Sequence, residues 1–309
     1  MTNRAIHTVT FRPGLTGRLE LPAETSDPVV NAYKAGDPLN AYMLNLMEAL
    51  TDPGQTVVDL GCHLGTFAIP TAILGRRVLA VDASSLHTNC LETSRQLGGI
   101  DNLTVVRSAV SDRDGHVSFR EDGLFGRIEF NELAQSDNLV PAKTLRNLLK
   151  EQAGFDKPAM IKIDIEGCEL LALQSVADLL RADDGPAILY ESNEPLLKLA
   201  GTSVSKLRAW LEDHGMKTFR VEAGRWVYSP PPEPQPEMWT DVLALNESQQ
   251  ERFRDRIDRE WSAEAMLDRF RAWLALPDPP IRAHVSSVLN DRSVTTAYPY
   301  LRSLALPAN

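Results

Sequence analysis

The stretch Val57–Thr66, with the sequence VVDLGCHLGT, decides the fold. Thr56–Leu60 is a short apolar run rich in β-branched residues, which predicts a buried strand. Gly61 and Gly65 follow, and residues Leu64–Leu74 are predicted to form a helix. A strand, a glycine turn and a helix in this order predict a ligand site at the strand's carboxyl end, because Gly61 lets a ligand approach the backbone closely.

Strands and helices alternate through the rest of this region. Repeated strand-helix-strand units with short turns predict an α/β fold with a doubly wound, Rossmann-like sheet, mostly parallel with an antiparallel last strand. The further predicted strands are Arg77–Val81, Leu103–Arg107, Ala159–Asp164, Ala187–Tyr190, Lys217–Val221 and Val242–Leu245, and the predicted helices are Ser84–Leu97, Cys168–Leu180 and Val204–His214.

Three segments organise the chain. Residues 1–50 are predicted to be an N-terminal lead-in of short strands and a helix, residues 51–246 the α/β domain, and residues 247–309 a helical C-terminal appendage. Within the α/β domain, residues 108–158 predict a turn, a hairpin and a short helix. Residues 229–238 (SPPPEPQPEM) predict an extended surface loop, because proline cannot pair within a central strand.

The composition limits the classes of function and of binding partner that the chain can have. The 309 residues contain 32 Lys and Arg against 42 Asp and Glu, a net charge of −10, which does not favour a nucleic-acid partner. Three widely spaced cysteines without a CxxC pair predict neither a disulfide framework nor a cysteine zinc site, and favour the cytoplasm. The most apolar stretch, Val57–Leu74, is interrupted by charged residues and proline, so it predicts buried core rather than membrane insertion.

The next strand after the turn ends in Asp82, 21 residues after Gly61. An acidic residue at this place can accept hydrogen bonds from both ribose hydroxyls of a nucleoside. His63 stands where the NAD-binding pattern has its second glycine and would crowd a pyrophosphate, and Asp59 would repel one. Charge and sterics therefore favour the cationic S-adenosylmethionine over NAD, whose oxidoreductases remain an alternative.

The third group of functional residues lies in Met160–Glu169, with the sequence MIKIDIEGCE. Asp164 or Glu166, at the end of a buried strand, is predicted to be the general base that accepts a hydroxyl proton; the alternative is cofactor binding or helix capping. Lys162 needs a charged partner if it is buried, and Asp164 or Glu191 is expected to supply it. Glu191 is also a candidate second base or substrate contact.

Four acidic residues are placed on one edge of the predicted sheet, namely Asp59, Asp164, Glu166 and Glu191. Their oxygens would suit Mg²⁺ and leave a divalent cation open. No compact spacing demands one, so no metal site is predicted. Of the six histidines, only His63 is placed near the predicted site, with a packing role as its simplest interpretation.

These residues resemble the FkbM family of methyltransferases. The family pattern Asp-x-Gly-x-Asn-x-Gly appears as Asp59–Gly65, with His63 in place of the usual Asn, and the acidic second-strand end appears as Asp82. The most specific match is Lys-x-Asp-x-Glu-Gly-x-Glu at Lys162–Glu169. The resemblance extends over roughly residues 50–245.

The resemblance implies that residues 51–246 transfer a methyl group from S-adenosylmethionine to a hydroxyl oxygen of a sugar, glycan or natural product, leaving S-adenosylhomocysteine. A non-catalytic S-adenosylmethionine-binding or scaffold protein is the alternative, and self-association through the C-terminal helices is a further expectation. The predicted cofactor residues are Asp59, Gly61, His63, Gly65, Thr66, Asp82, Ala83, Ser108 and Ala109, and the predicted catalytic residues are Asp164, Glu166 and Glu191.

Overall fold

Parallel strands form the centre of the molecule. The structure, a computed structural model, describes residues 3–37, 41–130, 138–222, 225–228 and 240–257. Its strands are β1 Arg4–Arg12, β2 Leu15–Pro22, β3 Thr56–Leu60, β4 Arg77–Asp82, β5 Leu103–Arg107, β6 Ala109–Val110, β7 Gly115–Arg120, β8 Arg127–Ile128, β9 Leu139–Lys143, β10 Met160–Ile163, β11 Ala187–Ser192, β12 Lys217–Glu222, β13 Arg225–Tyr228 and β14 Thr240–Leu245. Its α-helices are α1 Pro28–Lys34, α2 Ala41–Leu50, α3 Ala68–Ile73, α4 Ser85–Gly98, α5 Leu145–Glu151, α6 Glu169–Gln174, α7 Ala177–Leu180, α8 Glu194–Leu199, α9 Val204–Asp213 and α10 Glu247–Ile257.

The main sheet has the strand order β13-β12-β14-β11-β10-β3-β4-β5. Strands β11, β10, β3, β4 and β5 pair in parallel, whereas β14 lies antiparallel to both β11 and β12. The predicted mixed α/β class with a mostly parallel sheet is therefore confirmed. The carboxyl ends of β3, β4 and β10 meet at one edge, which is where open sheets of this kind bind ligands.

Each face of this sheet is covered by its own hydrophobic core. Alternate residues of β3 point to opposite faces, so Val57 packs in one core and Val58 in the other. The first core also contains Phe11 and Leu19 of the β1–β2 hairpin, so the lead-in packs directly on the α/β domain. A third, smaller cluster, which includes Phe119, joins the main sheet to the second sheet β6-β9-β7-β8, whose strands occupy the 108–158 region.

Two predicted helices are shorter than expected. Helix α3 begins at Ala68 instead of Leu64, because Pro70 lacks the N–H that a helix interior needs and fits only the first turn. The predicted helix Cys168–Leu180 divides into α6 and α7, where Val176 N–H donates to Leu173 O in a tight turn. Helix α1 has no counterpart among the sequence-based expectations.

The C-terminal appendage is described only in its first helix, α10, whose Phe253 is buried in the first core. The aromatic residues Trp261 and Trp273, the rest of residues 258–309 and the proline-rich residues 229–238 lie outside the described residues. Within the described ranges, no helix combines the length and apolar character that crossing a bilayer requires. The three cysteines are free and buried.

Candidate active site

The glycine turn between β3 and α3 is fixed by close contact with the neighbouring strand end. Gly61 has a φ of 73°, a conformation that favours glycine, and its N–H donates to Val81 O at 2.9 Å. A Cβ atom on Gly61 would lie 1.7 Å from the carbonyl oxygen of Asp164. Glycine is therefore required here because the backbone at residue 164 comes so close, a reason additional to the predicted approach of a ligand.

A pocket opens beside this turn, at the carboxyl edge of the sheet. It encloses about 630 Å³, part of which is open to solvent. Eight of the twelve predicted site residues line it, namely Gly61, His63, Asp82, Ala83, Ser108, Ala109, Asp164 and Glu166.

Asp82 presents an ordered, ionised carboxylate to this pocket. Its Oδ1 accepts hydrogen bonds from Ser84 N–H at 2.8 Å and from His87 Nδ1 at 3.2 Å, and its Oδ2 accepts from His63 N–H at 2.9 Å. Burial would raise the pKa of Asp82, but the His87 ring and these N–H groups together hold it below its ordinary value. The carboxylate is thus held in place to accept hydrogen bonds from a ligand.

Two histidines and a lead-in carboxylate surround Asp82. His63 Nε2 lies 2.9 Å from Asp27 Oδ2, and the rings of His63 and His87 meet edge to face with centroids 4.4 Å apart. Burial lowers the pKa of His87, but the effect of the Asp82 carboxylate is larger, so the pKa lies above its ordinary value. The expectation that only His63 lies near the site was wrong, since His87 also lines the pocket.

The buried lysine of β10 pairs with two carboxylates. Lys162 Nζ lies 3.2 Å from Asp59 Oδ1 and 3.5 Å from Asp164 Oδ2. Burial lowers the pKa of Lys162, but the two carboxylates outweigh burial and keep the ammonium charged. Of the two partners expected for Lys162, Asp164 is confirmed, whereas no ion pair with Glu191 is found among the described residues. Asp59 is a partner that was not expected.

Three of the predicted cofactor residues lie behind the pocket rather than on its surface. Asp59 is fully buried and pairs with Lys162. Gly65 has a φ of 84°, and a Cβ there would lie 2.3 Å from Leu91 Cδ1, so this glycine allows the turn to pack against α4. Thr66 is buried as well. The cofactor contacts of these three residues stay predictions. In the structure, Asp59 pairs with Lys162 and Gly65 allows the turn to pack closely on α4.

A cluster of three carboxyl groups lies where strands β10 and β11 end. Asp164, Glu166 and Glu191 each offer an oxygen, and these oxygens lie within 4.8 Å of one another, close enough to hold a metal ion. Burial and the neighbouring carboxylates Asp164 and Glu169 raise the pKa of Glu166 to about 8. Burial, Asp164 and Glu166 raise the pKa of Glu191 well above its ordinary value.

Glu169 fixes the turn that carries Glu166. Its Oε1 accepts hydrogen bonds from Ile165 N–H and Gly167 N–H, both at 3.2 Å. Glu166 itself has a φ of 54°, and its Oε2 is buried without a hydrogen-bond partner among the described residues. Neither Asp164 nor Glu166 caps α6, whose N-cap residue Cys168 makes no side-chain capping hydrogen bond, and Glu166 stays available to a ligand.

The pocket wall opposite the turn is built by strands β7 and β8 and the residues that join them. Phe119 and Ile128 line it together with Arg127, whose charge lowers the pKa of Glu166. A Cβ on Gly126 would lie 2.9 Å from the ring of Phe119, so this segment packs closely on the wall. The antiparallel pairing of β7 with β8 brings these residues to the site, in the region where the sequence predicts a hairpin.

Comparison with known proteins agrees with this geometry. Residues 75–218 match the sequence profile described as the methyltransferase FkbM domain. This part of the chain is therefore an FkbM methyltransferase domain. The FkbM match begins after the glycine turn, so it includes Asp82 and the carboxylate cluster but not Gly61.

The curated relatives match over short stretches. An uncharacterized protein of Haemophilus influenzae is 37% identical over 73 residues, which are 24% of this chain and 26% of the relative. A tRNA/tmRNA (uracil-C(5))-methyltransferase of Pseudomonas fluorescens is 36% identical over 70 residues, 22% of this chain and 19% of the relative. The chain thus spans about a quarter or less of these curated relatives. The crystal structure of precorrin-6y C5,15-methyltransferase from Geobacter metallireducens has 14% identity and a TM-score of 0.39, covering 67% of this chain and 89% of that one.

Proposed function

We propose that the chain transfers a methyl group from S-adenosylmethionine to a hydroxyl oxygen of a sugar, glycan or natural-product acceptor. The observation that carries this proposal is that two carboxyl groups with very different pKa values line the same pocket. Asp82 is held ionised, whereas Glu166 has a pKa of about 8. A carboxylate whose pKa lies near the working pH is suited to accept the proton that a hydroxyl group gives up.

The residues of the pocket fit S-adenosylmethionine. Asp82 would accept hydrogen bonds from the ribose hydroxyls, and Ala83, Ala109 and Phe119 offer an apolar surface for the adenine ring. When bound, S-adenosylmethionine would supply an electrophilic methyl group on a positively charged sulfur. Acidic residues at the other end favour such a cation, which supports S-adenosylmethionine over NAD.

Among the three clustered carboxyl groups, the surroundings favour Glu166 as the proton acceptor. Asp164 lies beside the Lys162 ammonium, which orients it and balances its charge. Burial and the neighbouring carboxyl groups raise the pKa of Glu191 well above its ordinary value, and Glu191 does not line the pocket. Glu166 lines the pocket with a buried oxygen that has no hydrogen-bond partner in the described part of the chain.

Binding and turnover of Glu166→Gln test this role. The variant should still bind S-adenosylmethionine in isothermal titration calorimetry, which separates a loss of turnover from a loss of the cofactor. Methyl transfer should fall by roughly a hundredfold or more, since a glutamine cannot accept the proton. The matched variant Asp164→Asn separates the two carboxylates: a loss of turnover confined to Asp164→Asn would assign the base to Asp164 instead.

The alternative of a binding or scaffold protein is less well supported, because ribose recognition alone needs no carboxyl group with a pKa near neutrality. The cytoplasmic location, the absence of a nucleic-acid partner and self-association through residues 247–309 stay predictions from the sequence. Binding of S-adenosylmethionine without transfer to any acceptor would favour the binding protein.

A further inference from the structure

Asp27, in the lead-in, lies where three separate segments meet. Its Oδ1 caps helix α1 by accepting hydrogen bonds from Val29 N–H at 2.9 Å and Val30 N–H at 3.1 Å. Its Oδ2 lies 2.9 Å from His63 Nε2 in the glycine turn. A Cβ on Gly123, in the opposite pocket wall, would lie 3.9 Å from this same oxygen. Capping of helix α1 therefore uses only one of the two carboxylate oxygens, Oδ1.

The second half of the carboxylate acts on the turn. Asp27 is only 8% exposed, and burial raises its pKa, but the hydrogen bond and charge of His63 outweigh burial and keep the pKa below its ordinary value. A charge-assisted hydrogen bond in such a buried place is short and orients both partners. The His63 side chain is consequently held in one direction.

His63 transmits this constraint to Asp82. The φ of His63 is 50°, a left-handed conformation in which an asparagine or histidine is tolerated better than most residues. In this conformation the His63 N–H donates to Asp82 Oδ2 at 2.9 Å. A continuous series of hydrogen bonds thus runs from the start of α1, through Asp27 and His63, to the carboxylate that faces the pocket.

We propose that Asp27 is a positioning residue of the cofactor site, which fixes the glycine turn through His63 and thereby couples the order of helix α1 to cofactor binding. This inference rests on the proposed function, because the ligand it concerns is S-adenosylmethionine. It makes the lead-in part of the site, although neither the glycine turn nor the carboxylate cluster belongs to that segment.

Two substitutions isolate the pair. Asp27→Asn keeps the cap of α1, because asparagine caps helices as well as aspartate does, but removes the charge that His63 contacts. His63→Asn keeps a residue that tolerates a positive φ and its backbone N–H, but removes the ring. Glu24→Gln, at an exposed residue of the same segment, is the control.

Calorimetric affinity for S-adenosylmethionine should fall roughly tenfold in each single variant, while Glu24→Gln binds as the wild type does. The double variant should bind no more weakly than the weaker single variant, because either substitution already breaks the series. Should Asp27→Asn fail to fold, His63→Asn, which leaves the cap intact, carries the comparison alone.

Hydrogen exchange supplies a readout that a purely structural pair would not move. S-adenosylmethionine should slow exchange of the Val29 and Val30 amides in the wild type but not in His63→Asn. Unchanged affinity in the single variants, or equal protection of these amides in His63→Asn, would overturn the positioning role. A wild type that does not bind S-adenosylmethionine would instead overturn the proposed function together with this inference.

Discussion

Replacing Glu166 with glutamine should make the stability of the protein much less sensitive to alkaline pH. The folded state holds the pKa of Glu166 at about 8 against an ordinary 4.5, so the folded protein keeps a proton that the unfolded chain has already lost. Stability from this group is complete below pH 4.5 and is lost as the pH rises towards 8. Between pH 6 and pH 9 the wild type should therefore lose about 3 kcal/mol that the Gln variant keeps.

Urea unfolding at pH 6, 7, 8 and 9, followed by circular dichroism, measures this difference. The free energies of unfolding of wild type and Glu166→Gln should converge at low pH and separate as the pH rises, with the variant the more stable protein. Glu24→Gln, at an exposed site, should follow the wild type at every pH. Parallel curves for wild type and Glu166→Gln would refute the inference that this carboxyl group is protonated at neutral pH.

Three other perturbations test the rest of the site. Gly61→Ala should abolish folding or cofactor binding, since its Cβ would collide with the Asp164 backbone; Gly54→Ala, with a φ of 87° and no described atom near its Cβ, should cost only about 1–2 kcal/mol in urea unfolding. Similar losses in both would contradict the close contact. Lys162→Met should destabilise the fold by about 3–5 kcal/mol, because it leaves Asp59 buried without a partner, and adding Asp59→Asn should restore part of that loss; a neutral Lys162→Met would disprove the pair. Burial and the neighbouring carboxyl groups raise the pKa of Glu166 and of Glu191, which lets these groups lie close together without a cation, so methyl transfer should survive EDTA; activity restored only by Mg²⁺ would show a metal site instead.

The strand-turn-helix unit was predictable because its signals are local. The apolar run Thr56–Leu60 needs burial on both faces, Ser84 accepts a hydrogen bond from His87 N–H as an N-cap does, and Gly215 follows the helix that it was expected to end. These features depend on residues a few positions apart, and the structure reproduces them. The prediction of an antiparallel last strand is also confirmed, since β14 lies antiparallel to β11.

The partners within the site were not predictable in the same way. Asp59 was expected to face a cationic ligand, but it meets Lys162, which lies 103 positions along the chain. Asp27 reaches His63 from a helix cap in the lead-in, and the spacing of these two residues carries no periodic signal. Such contacts depend on tertiary packing, so the sequence indicates the residue types at the sheet edge but not which of them neutralise one another.

Transfer of labelled methyl from S-adenosylmethionine tests the central claim most directly. Purified protein would be incubated with methyl-labelled S-adenosylmethionine and a fractionated extract of metabolites and glycans, with Glu166→Gln as the matched control. The account predicts label in a methyl ether that resists alkaline hydrolysis, with the label lost in the variant. Label on carbon or nitrogen, or bound S-adenosylmethionine with no transfer to any fraction, would contradict methylation of a hydroxyl group.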